Sequence, residues 1–266
     1  MMAQGTGAHD HEVSAVASTQ RLWQRIGTLA LWRVAALVAA SPWMAPIGPL
    51  NLLLAPRCVS CRTSCAPQQL LCAACWRAMP WLPDPLCERC GLPQPCGTPC
   101  PAAEWAFSRS WAPLDYAGPV IALIRALKER GAIQAADLMA ATIVARAPAR
   151  VLLDGAVLVP VPADPWRRRR RGIDHAAVLA DAIARRSGND IVAALQRRPG
   201  GRQAGRSRAQ RVAAGPTVQA NGALVGRDAV LVDDVHTTGA TLHAAALALN
   251  KAGAGRIACV TFGRSI

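Results

Sequence analysis

The stretch Val230-Leu-Val-Asp-Asp-Val-His-Thr-Thr-Gly-Ala-Thr241 decides the fold. Its apolar start predicts a buried strand over residues 229–232, which delivers two adjacent carboxylates, Asp233 and Asp234. A Thr/Gly-rich turn follows and opens a helix predicted over 240–252. Hydroxyls of Thr237, Thr238 and Thr241 and backbone N–H groups at Gly239 and Ala240 gather at that helix N-terminus, where the dipole favours an anion. Gly239 lets the backbone approach a phosphate closely. Carboxylates touching a phosphate would repel it, but they suit the vicinal hydroxyls of an attached sugar. An isolated Asp-Asp pair is ordinarily a solvated strand end. The joined strand, carboxylates, turn and helix read instead as a sugar-phosphate cradle, with phosphate in the turn and ribose on Asp233 and Asp234.

Outward from this motif, residues 106–266 alternate helix-like and strand-like runs. Apolar spacing predicts helices over Gly118–Arg130, 132–146 and 174–186, and strands over 156–161, 191–195 and 257–262. Strand, crossover helix and strand in repetition imply an α/β fold with a parallel sheet covered on both faces. Between Gln196 and Asn221 lies a long loop with six arginines and no acid. A loop of that length is usually functional or disordered.

The 266-residue chain is 52% hydrophobic and 17% charged, which excludes global disorder. Its formal net charge of +14 favours polyanionic partners such as nucleic acid or phosphorylated ligands. The charge is unevenly placed. Residues 107–266 hold 23 Lys/Arg against 11 Asp/Glu, whereas residues 58–104 hold three of each.

Nine of the ten cysteines fall between Cys58 and Cys100, in a Pro-rich segment with too little apolar surface to fold unaided. The pairs Cys58/Cys61, Cys72/Cys75, Cys87/Cys90 and Cys96/Cys100 are short turns of the kind that place two thiolates on one side of a metal. Two such turns close a tetrahedral four-thiolate zinc site, so eight ligands make two sites, paired in sequence order or interleaved. With every ligand a protein thiolate, the zinc holds the module together and offers no open position for chemistry. Each filled site carries a charge of about −2, which makes the module net negative and argues against a charge-driven grip on DNA. Cys65 has no evident partner. Trp76 and Trp81 read as core packing.

Residues 1–57 read as a partly helical N-terminal extension. Arg21, Arg25 and Arg33 interleave with apolar residues as in an amphipathic helix, and the Pro-rich stretch 41–49 ends it. The apolar run 26–40 is too short and too charged for a membrane span, so none is expected. A cysteine module built for metal and no secretory signal fit a cytoplasmic protein.

The motif at 230–241 resembles the signature of the type I phosphoribosyltransferase fold, which binds phosphoribosyl pyrophosphate (PRPP). From Leu50 to the C-terminus the chain further resembles the ComF (competence protein F) family, a double zinc ribbon followed by a phosphoribosyltransferase-like domain. The resemblance is carried by the Leu-Leu-x-Pro entry before Cys58, Leu123-Ile-Arg-Ala-Leu-Lys-Glu-Arg-Gly131, Val159-Pro-Val-Pro162, the arginine run, and Gln203-x3-Ser-Arg-x2-Arg211. It implies an extension over 1–57, a double zinc ribbon over 58–105, and a phosphoribosyltransferase-like domain over 106–266.

It further implies that Arg167, Arg168, Arg169, Arg170, Arg171 and Gly172 occupy the pyrophosphate-loop position, where guanidinium forks suit pyrophosphate oxygens. The same arginines would serve as a solvated basic turn or as contacts to a nucleic-acid backbone. The loop 196–215 resembles the hood that closes over PRPP in catalytic relatives. The chain departs from the family in three places. Asp174 and His175 stand where relatives carry Asn-Gln, His236 replaces an aliphatic residue, and Val212-Ala213-Ala214 replaces the hood's usual Asn.

The resemblance leads to a ComF-like protein of DNA uptake and natural transformation. It would bind PRPP with Mg2+, or a nucleotide-like phosphate, and contact single-stranded DNA and other DNA-uptake proteins. One alternative is an active phosphoribosyltransferase acting on an unidentified base or amine, for which no catalytic residue is legible. The other is a zinc-ribbon adaptor that docks a helicase or channel partner.

Overall fold

Strands alternate with helices after residue 106, as the apolar spacing predicts. The computed structural model describes residues 56–152, 155–197, 218–220 and 224–266. In chain order the elements are α1 (Ala73–Arg77), β1 (Arg109–Trp111), β2 (Leu114–Asp115), α2 (Gly118–Arg130), α3 (Ile133–Arg146) and β3 (Val157–Pro160). There follow α4 (Pro165–Arg171), α5 (His175–Ser187), β4 (Leu195–Arg197), β5 (Val218–Ala220), β6 (Ala229–His236), α6 (Ala240–Lys251) and β7 (Ile257–Arg264). The predicted extension over 1–57 falls, but for residues 56 and 57, outside the described residues, as does most of the basic loop, 198–217.

The central sheet is parallel throughout. It runs β1-β7-β6-β3, and β2 also pairs with β7. Its two faces are covered by separate apolar clusters. Val230, Val232, Ala258 and Val260 pack with α2, α3 and α5 on one side, and Ala229, Leu231 and Cys259 pack with α6 on the other. Alternate strand residues thus feed opposite layers, as the pleat requires. Leu71 and Met79 of the cysteine-rich segment join the α2/α3 cluster.

The structure corrects several sequence expectations. Strand β6 does not stop at Val232 but continues to His236, so both carboxylates stand on the strand itself. Ladder bonds to β7 (Asp233 opposite Thr261, His236 opposite Arg264) hold this extension. Residues 191–195 do not form one strand. Ile191 makes a lone bridge to Leu158, and Leu195 begins β4, which pairs antiparallel with β5. The arginine run is no turn but most of helix α4. Asp164 Oδ1 accepts from the Trp166 N–H at 3.0 Å, Pro165 begins the helix, and Gly172 at φ 76° follows its end. Asp174 caps α5 by accepting from the Ala177 N–H, so helix capping commits its carboxylate.

Candidate functional site: two cysteine clusters and a threonine turn

The eight paired cysteines form two clusters in sequence order. Cys58, Cys61, Cys72 and Cys75 make the first, and Cys87, Cys90, Cys96 and Cys100 the second. Within each, the ligand sulfurs lie within 4.8 Å of one another. Cys61 and Cys72 sulfurs are 3.6 Å apart, and those of Cys87 and Cys100 3.9 Å. Four thiols with these separations fit tetrahedral zinc. Burial would raise the Cys58 thiol, but backbone amides of Cys61, Cys72 and Ser60 outweigh it and bring it down to about 6. At Cys87 the amides of Cys90 and Arg89 likewise outweigh burial, giving about 7. These two thiols favour the metal-binding thiolate, whereas burial pushes Cys75 of the first cluster up to about 12 and holds Cys90 of the second well above the ordinary thiol range. Cys65 stands outside both clusters, its thiol directed at the Thr63 carbonyl. Trp76 and Trp81 meet edge to face, and the Arg146 guanidinium of α3 lies 4.2 Å over Trp81. These rings pack the module onto the α/β layer.

At the C-terminal end of β6, Asp234 is buried and ion-paired to Lys128 at the end of α2, Nζ to Oδ2 2.6 Å. His175, the first residue of α5, approaches the same oxygen at 3.5 Å. Asp233 is half-buried and accepts from the Asp234 N–H. Burial, and then the neighbouring Asp234 charge, hold its carboxyl well above the ordinary range. One ligand atom each from His175, Asp233 and Asp234 falls within 4.8 Å of the others. The Lys128 ammonium already supplies a positive charge there.

The turn that follows exposes Thr237, Thr238 and Ala240, leaves Thr241 partly exposed, and buries Gly239. Gly239 is the N-cap of α6 at φ 76°, and no side chain caps the helix. A Cβ on Gly239 would lie 2.4 Å from the Trp105 indole. The space above this glycine is therefore taken by a tryptophan, a requirement for glycine additional to the close phosphate approach expected from the sequence. His236 is buried against Trp105 and Phe107, and its Nδ1 pairs with Ser110 Oγ at 2.8 Å. Burial, and next the Arg264 charge, push its pKa down to about 3, so the ring is neutral.

Strands β3 and β6 are parallel neighbours, Val159 opposite Leu231 and Pro160 opposite Val232. Basic helix α4, which follows β3, and the threonine turn, which follows β6, therefore leave the same end of the sheet. On α4, Arg168 and Arg169 are exposed, as is Gly172 after it, and Trp166 is 66% exposed. Arg167, Arg170 and Arg171 are on the same helix.

Sequence reasoning missed Trp105, Arg89 and Arg264, and left Lys128 and His175 without a role. Arg264 carried a legible signal. It closes an otherwise uncharged run that forms a fully buried strand, where a lone charge must have partners.

Residues 49–104 match the double zinc ribbon domain family. Over 98 residues the chain is 33% identical to the Competence protein ComFC of Bacillus subtilis (strain 168). Together these support a ComF-family assignment. The match to ComFC covers 36% of this chain and 39% of that protein. The ribbon is joined to a mixed α/β layer with a parallel central sheet. Among the described residues, no helix is long and apolar enough to cross a membrane.

Proposed function

We propose that residues 106–266 form a type I phosphoribosyltransferase-like domain that binds PRPP with Mg2+, or a nucleotide-like phosphate. The whole chain would act in the cytoplasm as a ComF-like protein of DNA uptake and natural transformation. The observation that carries this reading is the shared sheet end. The carboxylates near the carboxyl end of β6, the uncapped N-terminus of α6 after β6 and the arginines of α4 after β3 share one end of adjacent parallel strands. That is where α/β sheets bind ligands. Thr237, Thr238, Gly239, Ala240 and Thr241 would hold the phosphate, and Asp233 and Asp234 the ribose hydroxyls. Arg167–Arg171 and Gly172 would take the pyrophosphate or the backbone of single-stranded DNA. The cysteine clusters would each hold a structural zinc.

Calorimetric titration of PRPP with Mg2+ into the zinc-loaded chain tests the reading. Micromolar binding that Asp233→Asn weakens several-fold is expected, since an ordinary hydrogen bond contributes roughly 0.5–1.5 kcal/mol. Asp233 is the cleaner single change, because Asp234 also neutralises Lys128. No binding by the folded wild type would overturn the reading.

A further inference from the structure

We propose that the second cysteine cluster clamps the phosphate turn, so that zinc held by Cys87, Cys90, Cys96 and Cys100 and an anion held at the turn strengthen each other's binding. The choice of ligand rests on the phosphate-binding reading above; the geometry of the clamp does not.

Three connections run from the Cys87–Cys90 knuckle to residues 236–239. Arg89, inside the knuckle, donates to the carbonyls of Ala102 (2.7 Å), Ala103 (2.9 Å) and Trp105 (3.0 Å). It thereby fixes the segment that lays the Trp105 indole on Gly239. The Cys90 carbonyl accepts from Arg264 Nε at 3.1 Å, while Arg264 Nη1 donates to His236 O at 2.8 Å and Thr237 O at 2.6 Å. The Glu88 carbonyl accepts from the Ser110 N–H at 3.0 Å, and Ser110 Oγ meets His236. Arg264 is buried, with carbonyl oxygens around it and no carboxylate within ion-pair distance among the described residues. A buried guanidinium needs those acceptors, so separating knuckle and turn leaves the Arg264 Nε–H without its Cys90 acceptor.

The knuckle owes its shape to the metal rather than to a core. Of residues 87–101 only Cys90 and Gly91 are buried. Without zinc, little apolar burial remains to hold the loop. Losing its form would release Trp105 from Gly239 and Arg264 from Cys90, and with them the backbone amides that face an anion. By linkage the effect is reciprocal, so an anion at the turn tightens the second cluster's equilibrium hold on zinc.

The test uses the full zinc-loaded chain. The first readout needs no ligand: hydrogen exchange followed by mass spectrometry, in wild type, Trp105→Ala, Trp105→Phe and Cys96→Ser. Faster exchange across residues 235–242 is expected in Trp105→Ala and Cys96→Ser, with α2 and α3 unchanged, and Trp105→Phe should restore wild-type rates. Unchanged exchange at the turn in Trp105→Ala and Cys96→Ser overturns the proposal. If either variant loses protection in α2 and α3, it has not folded, and the second readout decides.

That second readout is zinc release to a chelating dye, with alkylation of the freed cysteines, with and without PRPP and Mg2+. At equilibrium with the dye, PRPP should raise the second cluster's zinc affinity about tenfold and leave the first unaffected, within the range of ordinary coupling energies. PRPP that binds the wild type but lowers neither the equilibrium transfer of second-cluster zinc to the dye nor the alkylation of its cysteines overturns the clamp. PRPP that does not bind at all overturns the phosphate reading instead, and tripolyphosphate with Mg2+ then replaces it as the probe of the clamp.

Discussion

Asp234 and Lys128 set the electrostatics of the sheet end, and their burial makes the pair hard to alter one member at a time. The Asp234 side chain is 4% exposed and that of Lys128 24%. Lys128→Met strands a buried carboxylate and is expected to cost about 3 kcal/mol in urea unfolding. Adding Asp234→Asn should recover part of that loss, because partners in a buried pair are not additive. His236 makes the folded state sensitive to acid. Its pKa is about 3 in the fold against about 6.5 unfolded. Between those values the unfolded chain holds a proton that the folded chain does not, so stability falls as pH drops through this window. From pH 7 to pH 5 the wild type should lose roughly 2 kcal/mol more than His236→Gln, measured by denaturant titration at each pH. Gly239→Ala meets both a positive φ and the Trp105 ring. It should destabilise the chain by several kcal/mol, on the order of combined strain and overpacking. In a Trp105→Ala background only the backbone part of that cost should remain.

Helix α4 is where charge becomes binding, if the chain grips a polyanion. Each phosphate neutralised on a single strand contributes about 0.7 to the slope of log affinity against log salt. Replacing exposed Arg168 and Arg169 by alanine should therefore lower the slope for single-stranded DNA by about 1.4 in filter binding across a salt series. An unchanged slope would remove α4 from the interface. The elements also show what the sequence could carry. Helices α2, α3, α5 and α6 were legible because each buries one stripe of apolar residues at helical spacing. Strands β1 and β2 were not, since three and two residues offer no period and owe their form to β7 beside them. The end of β6 was hidden because Asp-Asp ahead of Thr-Thr-Gly has the chemistry of a turn, which ladder bonds to β7 override. Five arginines hid α4, although arginine is a good helix former and Asp164, Pro165 and Gly172 frame the helix. In the site, Asp233 and the threonine turn were visible as a linear motif. Trp105 was not, because its partner Gly239 lies far along the chain and no local pattern links them.

At the scale of the molecule, the cysteine module is not an appendage. Cys58, Leu71 and Met79 lie in the same apolar cluster as Leu114, Val120 and Ile124. Metal analysis should find two zinc ions per chain, one for each cluster. Stripping them with a chelator should lower the melting temperature by at least about 10 °C, given the size of structural zinc binding energies. The loss should appear as one cooperative transition of the whole unit, and two separated transitions would count against a shared core. The topology of the sheet has a further consequence, for synthesis. Strands β1 and β2 pair with β7, and the Ser108–Ile257 bond beside them joins residues 149 positions apart. A growing chain on the ribosome thus presents β1 and β2 as open edges while everything up to β7 is still being made. Such unsatisfied edges recruit other strands. The nascent protein is at its most aggregation-prone after its metal module has closed and before β7 emerges to fill the middle of the sheet.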